Sequence, residues 1–68
     1  MNAIEQQQHD SDTIFTQITE MGGFASMDEV RATVALFYVP DMSISRAGIS
    51  HALKRLESHF AQNPSITT

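Results

Sequence analysis

The chain has 68 residues, a formal net charge of −4 and no cysteine. That length holds one small domain at most, with neither a disulfide nor a cysteine-ligated zinc to staple it, so self-association as a homodimer is expected to compensate for the small core. No apolar run approaches the roughly 18–20 residues of a membrane span. Residues 1–10 lack the basic and apolar regions of a signal peptide, so the expected setting is soluble and cytoplasmic, with no membrane partner.

Residues 1–11 are polar, with the run Gln6-Gln7-Gln8 and no apolar period, and read as a flexible, disordered tail. Glu5 and His9 stand four apart but make too small a ligand set for a metal site, and neither metal nor cofactor is expected. The ordered domain is expected over residues 12–63. Its first helix should run from 12 or 13 to 21, with Ile14, Phe15, Ile18 and Met21 as a buried stripe. Ser11 or Asp12 can cap it, and Gly22-Gly23 should end it, because glycine readily adopts the left-handed conformation of a helix C-cap.

Ser26-Met27-Asp28-Glu29 has the capping-box pattern, with Ser26 as N-cap and Glu29 reaching back. A second helix over 27–39 follows, burying Val30, Val34 and Phe37, with Tyr38 also inward. Residues 34–39 are continuously apolar and could suit a buried strand, but the capping box and the lack of a partner strand favour helix. Pro40 stops it. A short connector, 40–44, follows, with Met42 and Ile44 tucked beneath the helix junction.

The third helix is expected over 45–61, capped by Ser45 with Ser43 as competitor, and stopped by Asn63-Pro64. Residues 64–68 form a C-terminal tail. Ile49, Ala52, Leu53, Leu56 and Phe60 recur at helical spacing within about 100° of arc, one buried stripe. The opposite face carries Ala47, Ser50, His51, Lys54, Arg55 and Ser58, with small residues first and long cations later. A helix entering a DNA major groove needs such a face, and ordinary solvation of two surface cations is the simpler alternative. Charge is unevenly spread. Arg46, Lys54 and Arg55 against Glu57 make residues 45–61 net +2, whereas Arg31 against seven carboxylates makes the rest −6. The fold class is therefore an all-α, three-helix domain of helix-turn-helix-like form. Its predicted core is Ile14, Phe15, Ile18, Val30, Val34, Phe37, Ile44, Ile49, Leu53, Leu56 and Phe60.

The phrase Ser45-Arg46-Ala47-Gly48-Ile49-Ser50-His51-Ala52-Leu53-Lys54-Arg55-Leu56-Glu57 resembles the recognition helix of bacterial helix-turn-helix transcription regulators. Its wording is similar to that of the fimbrial adhesin biosynthesis regulators, related plasmid repressors and LysR-type proteins. The resemblance covers about 15–20 residues and is of the short-motif kind. It implies a dimeric regulator binding double-stranded DNA, with Ser45, Arg46, Ser50, His51, Lys54 and Arg55 at the nucleic-acid contacts. The sequence departs from the usual unit in having Val39 and Ser43 where a small residue and a turn glycine stand, and Pro40 inside the first helix of the pair.

No nucleophile, base and acid fall into a catalytic pattern, so no enzyme is expected. The rival to a DNA-binding regulator is a non-catalytic modulator that docks on a larger protein as an adaptor, antirepressor or inhibitor. It would use an apolar excess among Phe24, Met27, Leu36, Val39 and Met42, or an acidic face at Asp28, Glu29 and Asp41.

Overall fold

A computed structural model describes residues 2–62 and contains three helices, α1 (Ala3–Met21), α2 (Met27–Tyr38) and α3 (Arg46–Gln62), with no strand among these residues. The expected C-terminal tail lies outside them. The first helix corrects the sequence reading: residues 3–11 are not a tail but the first half of α1. Asn2 caps it, its Oδ1 accepting from the Glu5 N–H at 2.8 Å. At the other end Gly22, at φ 61°, donates its N–H to the Ile18 carbonyl, and Gly23 follows at φ 75°.

Helix α2 starts at the capping box. Ser26 Oγ accepts from the Glu29 N–H at 3.2 Å, while the Glu29 carboxylate takes the Ala25 N–H at 3.1 Å, one residue earlier than the expected partner. The helix stops at Tyr38, before Pro40, so the connector spans 39–45 rather than 40–44. Asp41 organises that connector by accepting from the Ser43 N–H at 2.9 Å and the Ser43 hydroxyl at 2.6 Å, an Asx turn. Ser43 is thereby occupied, and Ser45 caps α3, its Oγ accepting from the Gly48 N–H at 3.0 Å.

The contacts between α1 and α3 advance in the same direction along both helices: Asp10 meets Ser45, Ser11 meets His51, and Phe15 meets His59. The two therefore run side by side in one direction. Helix α2 runs back between their far ends, with Arg31 near its start on Glu57 and Tyr38 at its end donating its hydroxyl to Gln17. The core is Ile14, Ile18, Phe24, Val30, Val34, Tyr38, Ile49, Ala52 and Leu56, with Phe15, Met27, Ile44, Leu53 and Phe60 packed around it. Phe37 is corrected from core to surface, and Met21 from the buried stripe of α1 to surface, each being 52% exposed. Tyr38 lies inside because the stripe through Val30 and Val34 continues at the next i+4 position, and Gln17 satisfies its hydroxyl.

Candidate functional site

The six predicted DNA-contact residues divide into two groups. Ser45, His51 and Arg55 are bonded into the body of the domain. Arg46, Ser50 and Lys54 are exposed, four residues apart, on one face of α3. The division arises at the α1–α3 crossing, which is polar. Asp10, 1% exposed, accepts from the Ser45 N–H at 2.8 Å and from the Gln6 amide at 3.1–3.2 Å. It thus caps the start of α3 from another helix, placing a negative charge at the positive end of the α3 dipole. Burial pushes the Asp10 carboxyl up, but the Ser45 N–H, the Gln6 amide, the Ser45 hydroxyl and nearby His9 outweigh it, and the net effect is below the ordinary value.

One turn along, fully buried Ser11 places its Oγ 2.9 Å from His51 Nδ1 and accepts from Arg55 Nη1 at 3.1 Å. The same Arg55 nitrogen meets Asp12 Oδ1 at 2.6 Å, and its Cζ lies 4.5 Å from the centre of the Phe15 ring. This guanidinium is anchored by an ion pair, a hydrogen bond and a cation–π contact. It belongs to the edge of α3 that faces α1, and a base or phosphate would have to displace Asp12 to use it. Of the other cations, Arg31 bridges Asp28 and Glu57 at 2.8 Å each. The Glu57 hydrogen bond raises its pKa most strongly, with burial opposing and Asp28 adding.

A second surface is apolar. Helix α2 has two apolar stripes. The inner one, Met27, Val30, Val34 and Tyr38, meets the core. The outer one, Ala32, Ala35, Leu36 and Val39, has i, i+3, i+4, i+7 spacing and is exposed throughout. Leu36 is 70% exposed, Val39 45% and Met42 in the connector 99%, while Phe37, also exposed, lies on another side of α2. Residues 32–40 contain no charged side chain, and the exposed carboxylates Asp28, Glu29 and Asp41 flank that run at its two ends. Of the apolar residues expected to exceed the core, Leu36, Val39 and Met42 do so, while Phe24 is buried and Met27 is half-buried. Of the two connector residues expected beneath the helix junction, Ile44 packs against the core and Met42 does not. The signal for the full outer stripe was present in the continuous apolar run 34–39: a helix apolar on all sides must either be buried or meet a partner.

An open cleft of about 400 Å³ lies between the start of α2 and the end of α3, lined by Met27, Arg31, Glu57, Phe60 and Ala61. Its two charged groups are paired with each other. Among the described residues no helix is long and apolar enough to cross a membrane. No family model matches the chain, and neither the curated proteins nor the solved structures contain a match to it.

Proposed function

We propose that the chain is a non-catalytic protein-binding module that docks through the outer face of α2 and the connector that follows. The observation carrying this reading is the exposed stripe Ala32, Ala35, Leu36 and Val39 on α2, with Met42 exposed in the connector that follows. Exposed apolar surface costs free energy in water, and a contiguous patch of it on a small domain marks a surface that is covered in use. The net charge of −4, with Arg31 and Arg55 in ion pairs, favours this reading over a nucleic-acid one.

The test places a photoreactive phenylalanine analogue at Leu36 or at Ser50, in the cell that makes the protein. Protein adducts are expected from position 36, abolished by Val39→Glu, with none from position 50. Nucleic-acid adducts from position 50, with none from position 36, would reverse the assignment.

One observation favours a second reading, the DNA-binding regulator that the α3 wording resembles. Arg46, Ser50 and Lys54 do share an exposed face. On that reading Arg46→Glu/Lys54→Glu removes duplex binding at low salt, and the salt slope identifies phosphate contacts.

A further inference from the structure

We infer that the occupant of the α2 face is an amphipathic helix with cationic flanks, laid along the stripe with its own apolar residues inward. This rests on the docking reading above and specifies its partner. Three observations define the chemistry. First, Ala32, Ala35, Leu36 and Val39 repeat at the spacing by which one helix packs on another, so the complementary shape is a helix. Alanines at two of the four positions permit close approach at the start of the stripe, while Leu36 and Val39 offer side chains to a partner's grooves.

Second, the border is negative. Asp28 and Glu29 stand at the first turn of α2 and Asp41 just beyond its end, all exposed. Arg31 pairs with Asp28 at 2.8 Å as well as with Glu57 on α3, so among the described residues the rim charge outside an ion pair is that of Glu29 and Asp41. Third, the whole chain carries −4, so a second copy would bring like charge to the same rim, whereas a cationic helix would be drawn in by both field and contact. Charge at the rim chiefly sets association rate and choice of partner, and apolar contact holds the complex.

The experiment uses the full chain and two labelled synthetic helical peptides of about 14 residues, a length of about 21 Å. Both carry the same leucine stripe at i, i+3, i+4, i+7. One is flanked by lysines, the other by glutamates. Anisotropy titrations are run at roughly 50 mM and 300 mM salt, on either side of the range where screening becomes strong, with wild type, Leu36→Glu and Ser50→Glu. Circular dichroism checks that each variant is folded, and sedimentation reports the state of the chain alone.

The expected result is binding of the lysine peptide about tenfold tighter than the glutamate peptide, weakened by salt, lost in Leu36→Glu and retained in Ser50→Glu. Equal affinity for both peptides, still lost in Leu36→Glu, would overturn the cationic helix while leaving α2 as a docking face. So would a chain that sediments as a dimer, becomes monomeric with Leu36→Glu, and binds neither peptide; the occupant is then a second copy. Binding of neither peptide by a monomeric chain overturns the inference alone. Lysine-peptide binding unaffected by Leu36→Glu but lost in Ser50→Glu overturns both the inference and the α2 reading.

Discussion

Gly48→Ala should destabilise this domain, although alanine is the better helix former. An ordinary glycine-to-alanine change inside a helix gains about 0.8–1 kcal/mol. At position 48 the new methyl would lie 2.5 Å from Asp10 Cβ, 2.9 Å from Ser45 Oγ and 3.3 Å from the Gln7 carbonyl. The first of these atoms is fixed by its own helix backbone, so α1 and α3 must separate. Overpacking costs about 1–3 kcal/mol. Separation also stretches the hydrogen bond from Ser45 N–H to the Asp10 carboxylate, and bonds to charged groups contribute about 1.5–3 kcal/mol. Partial loss of that bond added to overpacking exceeds the propensity gain, leaving a net loss of about 2 kcal/mol. In a domain of this size that lowers the melting temperature by about 8–16 °C. The assay is thermal unfolding by circular dichroism, with Ala47→Gly as the exposed comparison, expected to cost about 1 kcal/mol from propensity alone. A Gly48→Ala protein that melts at or above the wild-type temperature would show that α1 and α3 do not meet as closely as described.

The buried carboxylate gives a pH dependence. Burial opposes the charge on Asp10 while Ser45, Gln6 and His9 favour it, and the folded value lies below the unfolded one. The stability it contributes is complete above the ordinary aspartate value of about 3.9 and is lost as pH falls through the folded value. Asp10→Asn should therefore lower stability at neutral pH and flatten the acid limb of the unfolding curve; an unchanged acid limb would contradict the assignment. Arg55→Ala should cost about 1 kcal/mol through lost packing on Phe15 and the screened pair with Asp12, whereas Lys54→Ala should stay within about 0.5 kcal/mol. Equal losses by denaturant titration would remove the distinction between the anchored and the exposed cation. Tyr38→Phe leaves the ring in the core and removes the bond to Gln17, at a cost of about 0.5–1.5 kcal/mol by urea unfolding. No measurable change would mean that water replaces Gln17 without penalty.

Most of the fold was legible because its boundaries are written in local chemistry. Ser26 and Glu29 mark one helix start, Gly22-Gly23 a stop and Pro40 another, and each works through backbone groups a few residues away. The first half of α1 was not legible, because the residues it buries are Asp10 and Ser11. Their partners, Ser45, His51 and Arg55, are 35–44 positions distant, so no local period reveals them. A faint signal did exist: asparagine is a favoured N-cap residue, and the Asn2 side chain accepts the backbone N–H of Glu5 three positions on. The same long-range pairing explains the divided site. Arg55 and Lys54 are neighbours in sequence and equally cationic, and only the position of α1 makes one an anchor and the other a free surface charge.

The division of labour among the helices bears on which face can act. The α1–α3 crossing is held by the Asp10 and Ser11 bonds, a close glycine contact and the Arg55 anchor, and each is lost if the helices shift by an ångström or two. It therefore fixes the direction of α3 and has little freedom to adapt. Helix α2 is held by the inner stripe, Tyr38 and the Arg31 bridge, while its outer stripe makes no contribution to the core. Leu36→Glu should accordingly leave the melting temperature within about 2 °C of wild type, since exposed substitutions away from caps and cores cost little. A fall of about 10 °C or more would mean that Leu36 supports the fold of the isolated chain. Stability unchanged with peptide binding abolished is the combination that a docking face requires, because a residue used only for packing cannot lose the second without the first.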